Sequence, residues 1–167
     1  ARADRHAFIS DWVSVCDDEA RHFELIQSRL TDLDMAYGDL PAHDGLWQAA
    51  HATAHDFIAR LVIAPMVLEA RGLDVTPGMI AKLKSANDPE SAAVMQIIFD
   101  DEIGHVAFGS KWFHITCKDQ SLEPKLCFQD KVRRYFKGLL KPPFNRPARD
   151  LAGLPHSFYE PLAFEIK

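Results

Sequence analysis

The chain has 167 residues, 47% apolar and 26% charged, which is enough to bury one sizeable core. Its formal net charge of −5 excludes a global pull toward nucleic acid or an anionic membrane. Cys16, Cys117 and Cys127 form no C-x-x-C pair, which argues against a disulfide framework or zinc–thiolate site and for a reducing, cytoplasmic setting.

Residues 5–35 are expected to form one long helix. At 100° per residue, Phe8, Trp12, Val15, His22, Phe23, Ile26, Leu30 and Leu33 fall on the side of Glu19. The segment "AYGDLPAHDG" breaks that pattern with Gly and Pro. A second helix is expected from Asp44, as N-cap, to Arg71, with Gly72 as its stop. Its stripe is Trp47, His51, Ala54, His55, Ile58, Val62, Met66 and Glu69, and Pro65 should kink it one turn before Glu69. The run "IARLVIAPMVLEA", interrupted by Arg60 and Pro65, is too short and polar to span a membrane.

"TPGMIAKLKSAN" reads as a short helix with Thr76 as cap and Pro77 at its first position. The next long helix opens at Asp88-Pro89-Glu90 and runs to about Cys117, with Met95, Ile98, Glu102, His105, Val106, Gly109 and Phe113 on one face. Residues 124–139 form a further helix. From "KPPFNRPARDLAGLP" the chain is Pro-rich and is expected to wrap the surface, with a turn or two of helix around Ala148. No stretch alternates with period two, so the class is all-α. A helical domain over 1–140 and a packed tail over 141–167 describe the organisation.

The chemistry is repeated. Residues 17–22 read D-D-E-A-R-H and residues 100–105 read D-D-E-I-G-H, an offset of 83. Glu and His at i and i+3 lie about 60° apart on a helix and project together. A carboxylate on a core-facing stripe must be paired, protonated or metal-bound. One E-x-x-H alone is common on solvated helix edges. Two copies on apolar stripes, with Glu69 in phase on another helix, form an oxygen-rich set with one His per metal, which suits iron or manganese better than zinc. The alternative is a buried polar network of carboxylates and imidazoles without metal. His51 and His55 also face inward by phase. They precede Glu69 by about 21–27 Å of helix, so they read as core histidines or the wall of a separate pocket.

The D-E-x-x-H pairs resemble those of the ferritin-like di-iron superfamily. More narrowly, "DEARHFELIQSRL", "PAHDGLW", "TAHDFIARL", "PMVLEARGLDVTPGM", "DEIGHVAFGSKWF" and "KPPFNRPARDLAGLP" together resemble the ferritin-like family called domain of unknown function 455. The resemblance implies an antiparallel helical bundle. It makes Glu19 and His22 the second-helix ligands, Glu69 the third-helix ligand, and Glu102 and His105 the fourth-helix ligands. Two irons would be bridged by Glu69 and by Glu19 or Glu102. Asp18 and Asp101 would each orient the His of the opposite helix. The superfamily's first helix, with one more ligand Glu, has no counterpart here, so an N-terminally truncated bundle is expected. That would leave the faces of residues 5–35 and 44–71 partly uncovered and prone to self-association.

The function expected is that of a di-iron oxidoreductase that hydroxylates or desaturates a small molecule or a modified tRNA. Iron storage and a non-catalytic interaction module are the alternatives. Lys125, Lys131, Arg133, Arg134, Lys137, Lys141, Arg146 and Arg149 face one acid, Asp130, within residues 124–149, a candidate phosphate-binding patch or a solvated face paired with acids elsewhere. The residues that would touch a substrate are not legible.

Overall fold

The computed structural model describes residues 5–163; residues 1–4 and 164–167 of the expected spans lie outside them. Among the described residues all regular structure is helical: α1 (Arg5–Asp32), α2 (Gly45–Ala52), α3 (Phe57–Ile63), a π turn (Ala64–Glu69), α4 (Ala70–Ser85), α5 (Pro89–Asp119), α6 (Pro124–Tyr135), α7 (Arg146–Leu151) and α8 (His156–Ala163). None of these helices is long and apolar enough to cross a membrane.

The pairing of α1 with α5 positions everything that follows. Asp11 accepts from Lys111 and from the Trp112 indole at 2.6 and 2.8 Å. His22 meets Asp101 at 2.9 Å, and Arg29 reaches Asp88 at 2.9 Å and Ser91 at 2.8 Å. Partners fall on α5 as they rise on α1, so the two helices run antiparallel. A motif repeated on antiparallel neighbours faces its own copy across a local two-fold relation. Asp88 also caps α5, accepting the Ser91 N–H at 2.9 Å, with Pro89 in the first turn.

The expected single helix over residues 44–71 is α2, α3, the π turn and the start of α4. Thr53 hydrogen-bonds back to the Ala49 carbonyl at 2.8 Å and accepts from Arg60 at 2.9 Å, while Arg60 also donates to the Ala50 carbonyl. Asp56 then starts α3 by accepting the Ala59 N–H at 2.9 Å. Pro65 lies in the π turn, where the Ala70 N–H donates to the Pro65 carbonyl five residues back.

Gly72 does not stop a helix and Thr76-Pro77 does not start one; α4 runs through both. Pro77 has no N–H for the Leu73 carbonyl, and Asn145 replaces it with a side-chain N–H at 3.0 Å. That contact also seats the tail. Arg149 binds Asp74 through two nitrogens, at 2.8 and 2.7 Å, with both side chains buried and its guanidinium 4.3 Å over the Tyr159 ring.

The core lies under α3, the π turn, α4 and α5: Leu61, Val62, Met66, Leu73, Val106 and Phe113 are all fully buried, joined by Phe128 from α6 and Leu154 and Tyr159 from the tail. By contrast α1 buries only Val15 and His22, and α2 buries nothing. Phe23, Ile26, Leu33 and Trp47, expected on core-facing stripes, are exposed. The uncovered apolar surface anticipated for residues 5–35 is therefore present on α1. For residues 44–71 it is confined to the first half, because Phe57–Glu69 forms the centre of the core.

Candidate metal centre

Five side chains from three elements converge: Glu19 and His22 from α1, Glu69 from the end of the π turn, and Glu102 and His105 from α5. Two overlapping triads result. Glu19, His22 and Glu102 place one donor atom each within 4.8 Å of one another, as do Glu69, Glu102 and His105. Glu102 belongs to both. The two imidazoles lie 5.6 Å apart, centroid to centroid.

Each ring is held by the other copy of the motif. His22 Nε2 meets Asp101 Oδ2 at 2.9 Å, and His105 Nε2 meets Asp18 Oδ2 at 3.3 Å. An ionised carboxylate only accepts, so Nε2 carries hydrogen in both rings. The Nδ1 atoms then face the three glutamates. His105 Nδ1 is 3.3 Å from Glu19 Oε1 and 3.5 Å from Glu102 Oε2, and His22 Nδ1 is 3.6 Å from Glu19 Oε2. This carboxylate–imidazole pairing fixes ring orientation at metal sites.

The electrostatics record three acids crowded around one imidazole. Burial, reinforced by the charges of Glu102 and Glu19, raises the Glu69 carboxyl to about 7. Burial opposes a charged His105, but Glu102, Glu19 and Asp18 outweigh it and raise the imidazole to about 10. Glu19 is held below its ordinary value, chiefly by His105.

Glu69 Oε2, Glu102 Oε2 and His105 Nδ1 are buried with no hydrogen-bond partner. A buried polar atom left unsatisfied costs about 1–3 kcal/mol. Three such atoms gathered in one place, all able to donate a lone pair to a cation, fit a divalent metal with oxygen-rich ligation.

Sequence reasoning missed Arg21. Its Nη2 donates to Asp18 Oδ1 at 2.7 Å and to Asp101 Oδ2 at 2.9 Å, touching both carboxylates that hold the histidines. The i, i+3 spacing to Asp18 was visible; the contact with Asp101 depends on the α1–α5 register. His51 and His55 do not join the site and are not core residues. Both are exposed: His51 stacks edge-on to Trp47 at 5.0 Å, and His55 meets the Tyr135 hydroxyl at 3.3 Å in a polar pocket with Asp56, Lys131 and Arg134.

The family described as "Protein of unknown function (DUF455)" matches residues 2–160. The chain belongs to the DUF455 family. An uncharacterized protein of Haemophilus influenzae is similar to it, 42% identical over 147 residues that cover 88% of this chain and 51% of the relative. The DUF455 chain thus spans about half the length of the curated relative it matches. No solved structure matches it. Within the family match lie both D-D-E-x-x-H copies and Glu69.

Three basic residues of the run over residues 124–149 are paired with acids outside it. Lys131 pairs with Asp56 at 2.6 Å, Arg146 with Glu160 at 2.6 Å, and Arg149 with buried Asp74.

Proposed function

We propose that this DUF455 chain is a ferritin-like di-metal carboxylate protein that holds two irons, with manganese as the alternative, and works as an oxygen-dependent oxidoreductase of hydroxylase type. One observation carries the reading: Glu69 Oε2, Glu102 Oε2 and His105 Nδ1 are buried and convergent and make no well-formed hydrogen bond, although His105 Nδ1 lies within ion-pair distance of Glu19 and Glu102. Glu19 and His22 would hold one metal, Glu69 and His105 the other, and Glu102 would touch both. Two irons so placed would supply the binding and reduction of dioxygen.

The remaining roles belong to the protein. Asp18 and Asp101 orient the rings and keep hydrogen on Nε2. In the metal-free chain burial raises the Glu69 carboxyl to about 7, so near neutrality it gives up a proton in order to ligate a metal. The superfamily's further ligand Glu would come from another helix lying against the exposed side of α1, where Glu19 is 49% exposed. Without such a cover, Phe23, Ile26 and Leu33 favour self-association. A small molecule and a modified tRNA stand as the candidate substrates; the ion pairs of Lys131, Arg146 and Arg149 take three cations out of a phosphate-binding patch.

Anaerobic loading with ferrous iron tests the reading, with about two irons per chain expected from the two triads. Glu102→Ala removes the shared ligand and should lower that content; unchanged content in the variant sinks the assignment. Oxygen consumption with a reductant then tests the oxidoreductase activity. Loading far above two irons would indicate storage instead.

A further inference from the structure

We propose that Arg21 is a single cationic clasp serving both halves of the metal centre, positioning His22 and His105 together through Asp101 and Asp18. The inference rests on the metal-centre reading above and deepens it. Arg21 is a positioning residue, since it touches none of the five ligands' donor atoms in the contacts described.

The geometry is specific. One nitrogen, Arg21 Nη2, reaches carboxylates from two helices, Asp18 at 2.7 Å and Asp101 at 2.9 Å. Asp101 Oδ2 accepts both this nitrogen and His22 Nε2. Asp18 divides its oxygens, Oδ1 to Arg21 and Oδ2 to His105. Each imidazole is therefore one carboxylate away from the same guanidinium. Two aspartates drawn to one point would repel each other without a cation between them, and the rings they hold would lose their common frame.

The internal repeat shows that one clasp replaces two. The offset of 83 puts Gly104 where the second copy's arginine would stand. A Cβ added at Gly104 meets nothing within 4 Å, so the position is open. Arg21 follows Asp18 by three residues, and Gly104 follows Asp101 by three. An arginine at 104 would then approach the same two aspartates from the other helix.

That relation supplies the test. Mn²⁺ affinity would be measured by calorimetry on the full chain, on Arg21→Gln, on Arg21→Lys and on Arg21→Gln/Gly104→Arg, with helicity followed by circular dichroism. Arg21→Gln should keep the helical signal and bind Mn²⁺ about 2- to 5-fold more weakly, since Arg21 is nearly half exposed and acts on each ligand only through an aspartate. Arg21→Lys should recover part of that loss, and the relocated guanidinium most of it. Wild-type affinity in Arg21→Gln, or a double variant no better than the single one, overturns the clasp. Should Arg21→Gln lose helicity, the double variant decides: recovery of helicity and affinity supports the clasp, and failure overturns it. A wild-type chain that takes up neither Mn²⁺ nor, under anaerobic conditions, ferrous iron refutes the metal centre itself, a result distinct from the loss of the clasp alone.

Discussion

Metal and protons compete for the same atoms at the triad of Glu69, Glu102 and His105. A ligand carboxylate must be ionised and a ligand imidazole must free its Nδ1. In the metal-free protein Glu69 titrates at about 7 and His105 at about 10, both raised above their ordinary values. Both groups therefore hold protons at pH 6, and metal binding must expel them. At pH 7 these two residues together release about 1.5 protons, half from Glu69 and one from His105. Integrated from pH 6 to pH 8, the apparent affinity of this triad should rise about a thousandfold: about tenfold from Glu69 and about a hundredfold from His105. With ordinary values for both groups the same interval would give only about fourfold. Calorimetric titration with Mn²⁺ at pH 6, 7 and 8, in two buffers of different ionisation enthalpy, reads both the affinity and the protons released. A rise of less than about tenfold, or release of well under one proton at pH 7, would refute the electrostatic argument.

Three more outcomes are expected. Gly109→Ala places a Cβ 2.5 Å from the Pro65 ring, so α5 or the π turn must move; a loss of about 1–3 kcal/mol should appear as a lower urea midpoint. Arg149→Ala removes the bidentate partner of the buried Asp74 carboxylate, which keeps the Asn145 N–H at 2.9 Å and Arg71 at 3.5 Å, and should cost about 1–3 kcal/mol in the same assay; a midpoint unchanged from wild type would show that the tail is not seated by this pair. In the metal-free protein the raised His105 value adds stability that is complete below about 6.5 and is lost as pH rises through about 10. The penalty from Glu69 has the opposite origin and is developed by about pH 8, while the Cys117 and Cys127 thiols, raised by burial, also lower stability as pH rises; the thermal midpoint between pH 8 and 10 should therefore fall in wild type more than in His105→Gln, and the difference between the two reports His105.

The helical class, the start of α1 and the start of α5 were legible because apolar periodicity and the Asp88-Pro89 signal are local. The ligand candidates were legible because the motif occurs twice. What sequence reasoning misplaced depends on partners far along the chain. Pro77 reads as a helix start until Asn145 takes the carbonyl it frees. The break after Ala52 arises from Thr53, Asp56 and Arg60 acting together, although the helical phase of Trp47 to Ile58 carries on across it. Helical phase placed His51 and His55 correctly relative to a straight helix, and the straight helix does not exist. Arg21 carried no signal of its own, since its second carboxylate arrives only through the antiparallel register of α1 and α5.

Two irregular positions lie beside the carboxylate that needs them most. Glu69 closes the π turn, and a π turn inserts an extra residue into the helical repeat and shifts the side chains beyond it. Pro65, inside that turn, packs where Gly109 has no side chain. Any larger residue at 109 would push α5 away from the turn. Glu102 sits on α5 two turns before Gly109, so the Pro65–Gly109 contact also sets how closely Glu102 approaches Glu69. The buried oxygens of those two glutamates are therefore held together by backbone packing rather than by any bond between them. In Gly109→Ala the urea midpoint and Mn²⁺ affinity should consequently fall together, whereas a core truncation on the tail helix α8, such as Leu162→Ala, should move the midpoint alone.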